Sequence, residues 1–249
     1  EHVSQLVFED RYFKNSPVNP GHALTNISDH DENGLSRIYP IGEQETRVNH
    51  PEQSGYFSGA CGITFYGGGI FPEEFDSSLL VADCVLNLVH MDLLTENNAA
   101  SKASRVGDKT VFLASSDRAF RPVNMTVGPD GSLYVLDMHR EVIEHPEWIP
   151  DDIEAELDLN AGIKKGRIYR ITGVQYNYEK PKDLESFSEI ELVTALGNKN
   201  QWIRKTAQQL LVTQKNYKSV PLLETQLDST QNPLARIHSL WTLEGLGRL

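Results

Sequence analysis

The sequence is poor in long apolar runs. None reaches the roughly 18 residues that a membrane-spanning helix requires, although hydrophobic residues make up 39% of its 249 positions. A helical span within these residues is therefore excluded. The opening Glu1-His2-Val3-Ser4 has no basic n-region and no apolar h-region, so no signal peptide is read there. Basic residues are in deficit, 23 against 35 acidic, for a net charge of −12. A nucleic-acid partner would need a basic face, so the balance argues against that class, and a solvated acidic surface is expected instead. No CxxCH occurs, so no haem is covalently attached here. No P-loop, Ser-His-Asp order, zinc-ligand spacing or glycine-rich dinucleotide fingerprint occurs either, and NAD dependence has no support.

Cysteine is scarce, with two residues, Cys61 and Cys84. The segments 61–66 and 78–84 read as neighbouring antiparallel strands. Placing Tyr66 opposite Leu79 puts Cys61 opposite Cys84. A cross-strand disulfide would then form in an oxidising compartment. The other reading is two buried reduced thiols acting as small hydrophobes.

The most informative stretch is Phe120–Asp137, FRPVNMTVGPDGSLYVLD. Val123, Met125 and Val127 alternate with Asn124 and Thr126, and Gly128-Pro129-Asp130-Gly131 separates them from Leu133–Leu136. Two β-rich runs around a Gly/Pro/Asp turn predict a hairpin. Further strands are expected at Val3–Phe8, Ser36–Ile41, Thr110–Ala114 and Gly166–Gly173, the arm that starts at Ser78 is expected to continue through Val85–Leu94, and Arg11–Pro20 reads as loop. Thr95–Asp108 is polar and carries no aromatic residue. Asp29-His30-Asp31-Glu32-Asn33-Gly34 opens like a calcium loop, but its twelfth position is Pro40, so a polar hairpin turn is the better reading. Asp151–Leu157 has the acidic first turn of a short helix.

From Ser186 the period becomes helical. Four helices are expected around Ile190–Leu196, Trp202–Leu211, Val220–Leu227 and Leu234–Leu243. Asn200, Arg204 and Leu211 recur as Asn232, Arg236 and Leu243, an offset of 32, which suggests two helical hairpins of a HEAT-type solenoid.

Three segments carry a family resemblance: SGACGITFYGGGIFPEEFDSSLLVADCVLNLVH, VFLASSDRAFRPVNMTVGPDGSLYVLDMHREVIEHPEWIP and DLNAGIKKGRIYRI. Together they resemble the membrane-bound dehydrogenase family of planctomycete-type and related bacteria. That family is similar to the glucose/sorbosone dehydrogenases, six-bladed β-propellers using pyrroloquinoline quinone (PQQ). The resemblance implies a mainly β propeller, partial in this chain, followed by a HEAT-like α-helical segment. The expected divisions are 1–173 for the propeller blades, 174–185 for a linker and 186–249 for incomplete helical repeats. At about 40–45 residues per blade the first segment holds too few for six, so the chain is expected to be a fragment.

The resemblance further implies oxidation of a sugar or sugar-derived alcohol with PQQ and calcium, in the periplasm or outside the cell. It implies a c-type cytochrome domain downstream and a protein partner for the repeats. The alternative is a non-catalytic scaffold that binds a glycan or protein. In quinoprotein dehydrogenases a His takes the hydroxyl proton, Arg or Lys neutralises the cofactor carboxylates and calcium polarises the quinone.

On that chemistry the candidate catalytic residues are His90, Arg121, Asp137 and His139. Arg121, Asn124 and Arg140 are candidates for cofactor binding, and Asp137 for the metal. Each has a structural reading beside the functional one. Arg121 can form an ion pair with Asp117 or Asp137. Asp137 can end a strand as a turn former, and His90 can be a satisfied core residue. His139 and Arg140 can lie in a surface loop, and Asn124 can bond backbone. Trp148 is expected to be buried, with His145-Pro-Glu docking the loop that follows.

Overall fold

The computed structural model describes residues 3–6, 24–32, 35–42, 55–97 and 100–249. The expected loop at 11–20 and the Asn33-Gly34 turn lie outside the described residues, as do residues 7 and 8 of the strand expected at Val3–Phe8. Two units are distinguished. The first comprises 1–66, 77–126 and 134–169, and the second 67–76, 127–133 and 170–249.

The first unit is built on antiparallel strands. β1 (Ser4–Leu6) pairs with β2 (Leu24–Asn26), and β3 (Asp31–Glu32) with β4 (Leu35–Ser36). The main sheet has the order β5 (Ala60–Tyr66), β6 (Ser78–Asp83), β7 (Leu88–Asn97), β8 (Ala100–Arg105). β9 (Leu113–Ala114) pairs with Leu88 and Val89 on β7, the stretch of that strand that β8 leaves open. A three-stranded sheet follows, β10 (Pro122–Val127), β11 (Leu133–Asp137) and β12 (Arg167–Ile171). β10 has the expected alternation: Met125 and Val127 are buried, Asn124 and Thr126 exposed. Its turn closes through Gly128 N–H to the Ser132 carbonyl at 2.9 Å, with Gly131 at φ 81°, where a glycine avoids the strain a side chain would add.

Strand β6 is buried at five of its six positions, because it has neighbours on both edges and packing on both faces. Its N-terminal partner β5 carries an irregularity. Tyr66 pairs with Ser78 and Thr64 with Leu80, but Cys61 pairs with Ala82. The slip falls across Gly62, at φ 54°, as a bulge would place it. The expected register is corrected on both counts: Leu79 faces Phe65 and not Tyr66, and Cys61 is not opposite Cys84, whose N–H bonds the Gly59 carbonyl; both cysteines are free thiols.

Asp83 ends β6 and organises the tight turn after it. Its Oδ2 accepts N–H bonds from Ser58 (3.0 Å) and Gly59 (2.9 Å), and its Oδ1 from Val85 and Leu86 (both 2.9 Å). The carboxylate is fully buried, so these four donors replace its hydration.

Short α1 (Asp151–Glu154) appears where the acidic first turn predicted it. Trp148 is 69% exposed, and Ile149 is buried in its place. The burial expected of Trp148 is thus corrected. Pro146–Trp148 is a single 3-10 turn capped by His145, and it turns the indole outward.

The second unit holds α2 (Glu189–Ala195), α3 (Gln201–Thr213), α4 (Val220–Ser229) and α5 (Pro233–Gly245). Leu192, Leu196, Ala207, Leu211, Leu223 and Leu243 from all four helices and their termini share one core. Helix α2 starts with a reciprocal capping box between Ser188 and Glu191. Asn200 and Asn232 cap α3 and α5, accepting from Trp202 N–H and from Leu234 and Ala235 N–H. The Asn200 side chain also donates to the carbonyls of Gly128 (3.1 Å) and Pro129 (3.0 Å) within the same unit.

The fold is mixed α/β with antiparallel sheets, and the expectation of a propeller followed by HEAT repeats is corrected. A blade needs four strands and radial repetition. Among the described residues the sheets have two, three, two and five strands and close into no barrel or propeller. Short strands with regular turns produce the same sequence pattern whether or not they repeat around an axis. The apparent helical repeat has a local cause: equivalent asparagines cap two helices of similar amphipathic spacing, and those helices pack into one cluster.

Candidate metal centre

On β7, His90 and Asp92 are two residues apart, so the pleat sends both side chains to one face. Both are fully buried. His30 reaches them from another part of the chain. Ile27 and Asp29 bond the backbone of Ala103 on β8 (Ala103 N–H to Ile27 O, 2.8 Å; Asp29 N–H to Ala103 O, 3.0 Å). A parallel bridge joins Ser28 to Ala103. This docking sets His30 beside Arg105, which lies opposite Asp92 in the β7–β8 ladder.

The three side chains converge. His30 Nε2 and His90 Nε2 each lie 2.9 Å from Asp92 Oδ1. One donor atom from each residue falls within 4.8 Å of the other two. Ligands about 2.1 Å from a common ion stand about 3.0 Å apart when cis in an octahedron and about 3.4 Å apart in a tetrahedron, so the two His–Asp spacings are those of neighbouring ligands as well as of hydrogen bonds. Two imidazoles and one carboxylate favour first-row transition ions and leave coordination positions open. The same set does not favour calcium, which takes six to eight oxygens. Phe57 packs edge-on against His90 at 5.6 Å, and His30 meets His90 in a T-shaped contact at 5.3 Å. Of the three, His30 has the accessible side chain, at 14%.

Arg105 contributes a constraint. Its Nη2 donates to His30 Nδ1 at 3.2 Å, and it also donates to the Arg37 carbonyl. A guanidinium has no acceptor, so Nδ1 accepts and the neutral ring carries its proton on Nε2, aimed at Asp92. Ligation through Nε2 needs the opposite tautomer. Next to the cluster, Asp29 is paired with Lys102 at 3.1 Å and accepts from Ser104 at 2.6 Å. Burial pushes its carboxyl up, and the Ser104 and Lys102 contacts outweigh that to hold it below the usual range.

The residues singled out from the sequence occupy a second place. Arg121 is buried, and its guanidinium donates to four backbone carbonyls: Arg140 (2.8 Å), Cys84 (2.9 Å), Val85 (3.1 Å) and Glu141 (2.7 Å). Asp137 Oδ1 accepts from Arg121 N–H (2.8 Å) and His139 N–H (2.7 Å). His139 Nδ1 stands 3.4 Å and Arg167 Nε 3.8 Å from Asp137 Oδ2. His139 takes a left-handed backbone, φ 52°, and Arg140 donates to the Leu159 carbonyl at 2.7 Å. Arg121, Asp137, His139 and Arg140 are therefore brought together, largely through backbone. Asn124 is exposed, and its amide oxygen accepts from Met125 N–H at 2.8 Å. His90 belongs to the other cluster. Asp92 was missed, although His-x-Asp on a strand is a readable same-face pair. His30 was seen only as part of a turn, since nothing local ties it to a strand sixty positions away.

The Domain of unknown function (DUF7133) matches residues 1–175. The chain belongs to that family. The DUF7133 match takes in His30, His90 and Asp92, together with Arg121, Asp137 and His139. No curated protein and no solved structure matches the chain. Among the described residues no helix is long and apolar enough to cross a membrane.

Proposed function

We propose that this DUF7133 domain is a metal-dependent oxidoreductase, with His30, His90 and Asp92 holding a first-row divalent ion at which a sugar or sugar-derived alcohol is oxidised. The observation that carries the reading is the convergence of two imidazole nitrogens on one buried carboxylate oxygen. The reaction class rests on the resemblance to the dehydrogenase family, as do a quinone electron acceptor and a site of action outside the cytoplasm. When bound, the ion supplies Lewis acidity and open coordination positions. Asp92 offsets part of its charge, Phe57 and the sheet hold His90 in place, and His30 forms the accessible side.

Two measurements test the reading. The purified chain is stripped with a chelator, then titrated with Zn²⁺, Co²⁺, Fe²⁺ and Mn²⁺. One equivalent is expected to bind, with affinity lower by about 100-fold or more in His90→Ala and Asp92→Ala. Equal binding by the variants and the wild type removes the centre. Dye reduction is then followed with added quinone and a panel of sugars and sugar alcohols. Metal-dependent turnover lost in His90→Ala supports the reaction. Tight metal binding without turnover keeps the ion and rejects the oxidoreductase in favour of a non-catalytic binding role.

A further inference from the structure

The two cysteines are close without being opposite. The slip across Gly62 sets Cys61 against Ala82, and Cys84 lies two residues beyond Ala82, so the two are diagonal neighbours. Cys84 is anchored on both sides of its peptide: its N–H bonds the Gly59 carbonyl, and its own carbonyl accepts from Arg121 at 2.9 Å. Its sulfur points back toward β5, 3.7 Å from the Gly59 carbonyl. The Cys61 sulfur lies 3.5 Å from the Pro122 carbonyl. Both thiols are partly exposed.

The pair is asymmetric. A hydrogen bond from the Cys84 thiol stabilises the Cys61 thiolate, and despite burial and the nearby Asp83 it brings the Cys61 pKa down to about 7. Cys84 is pushed up, first by that same hydrogen bond and then by burial and by the negative charges of Cys61 and Asp83, against a smaller opposing pull from Arg121. A cysteine that is thiolate near neutral pH is the attacking sulfur of such a pair.

We propose that Cys61 and Cys84 form a reversible thiol–disulfide site, with Cys61 as the attacking sulfur, Cys84 as the resolving one and a small-molecule disulfide as the oxidant. The Cys61 thiolate attacks one sulfur of the disulfide RSSR. A Cys61–SR bond forms, the S–S bond breaks and RS⁻ leaves. Cys84 then loses its proton and attacks the Cys61 sulfur, expelling a second RS⁻. The products are the Cys61–Cys84 disulfide and two thiols, so the two electrons lost by the protein reduce RSSR. Arg121 donates to the Cys84 and Val85 carbonyls and so fixes the backbone that carries Cys84. This site is separate from the proposed metal centre and stands or falls independently of it.

The test uses the full chain with EDTA present, which excludes metal-catalysed oxidation. Peptide mapping after brief iodoacetamide treatment at pH 7 is expected to show Cys61 alkylated about tenfold faster than Cys84. Oxidised glutathione is expected to convert the wild type to a species lighter by two hydrogens, reversed by dithiothreitol. In Cys84→Ser the reaction is expected to stop at a glutathione adduct on Cys61, and in Cys61→Ser no adduct is expected on Cys84 at a comparable rate. Equal or reversed alkylation rates overturn the assignment of roles, as does an adduct on wild-type Cys61 that never closes. The wild-type mapping decides the matter even where a variant fails to fold.

Discussion

Arg105 determines which proton His30 carries, and so how readily the cluster accepts an ion. Its donation to Nδ1 fixes the tautomer in which Nε2–H points at Asp92. Replacing it by glutamine removes the charge and offers a carbonyl that accepts from Nδ1–H, which leaves the Nε2 lone pair for a metal. Arg105→Gln is expected to bind Co²⁺ or Zn²⁺ about tenfold more tightly, the worth of roughly one hydrogen bond. Competition with a chromophoric chelator measures it, and weaker binding would count against His30 as a ligand. Asp83 illustrates the opposite case, a buried charge with a purely architectural set of partners. Asp83→Ala leaves four backbone donors without their acceptor and is expected to cost about 3 kcal/mol in urea unfolding. Neither role was legible in the sequence. His90 stood out as a polar residue in an apolar run, but an Asp at a strand end carries no mark of how many amides it will collect.

At the scale of elements, the sequence was legible where the cause is local. The hairpin 122–137 follows from alternation and a Gly-Pro-Asp-Gly turn, and the four C-terminal helices from their apolar spacing. β8 was not legible. Its residues Ala100–Arg105 are mostly polar, and their strand state comes from pairing with β7 and from the 27–29 segment on the other edge. The register of β5 was misread at both ends: Leu79 faces Phe65 and not Tyr66, and the one-residue bulge, invisible to a count of paired positions, adds a second shift before Cys61. Gly62 is the residue that permits it. A Cβ there would stand 2.6 Å from both Asn124 Cα and the Val123 carbonyl, at a backbone φ of 54°. Gly62→Ala is expected to cost about 2 kcal/mol or more in urea unfolding. A neutral result would mean that β5 can reset its register without the bulge.

At the scale of the whole molecule, the sequence conveyed the order of β-rich then helical segments but not how each closes, because closure depends on contacts far apart in the chain. The helical unit has a core cluster of its own helices, so a perturbation can be placed there. His238 supplies it for the helical unit. The ring is buried, its Nδ1 meets Gln208 at 2.7 Å and its Nε2 accepts from Arg204 at 3.4 Å. Burial, followed by the charges of Arg204 and Lys205, holds its pKa below the ordinary value. In the unfolded chain the ring protonates as pH falls through about 6.5, while in the folded chain it resists. Above that pH both states are neutral and His238 costs nothing. Below it the unfolded state binds the extra proton, so folding stability declines. Trp241 lies 5.4 Å from the ring in a T-shaped contact and reports on it. The urea midpoint followed by tryptophan fluorescence is expected to fall between pH 7 and pH 5. In His238→Gln, which keeps a donor and an acceptor but does not titrate, that slope is expected to flatten, with Trp241→Phe identifying the reporter. An unchanged slope in His238→Gln would transfer the acid sensitivity to another group.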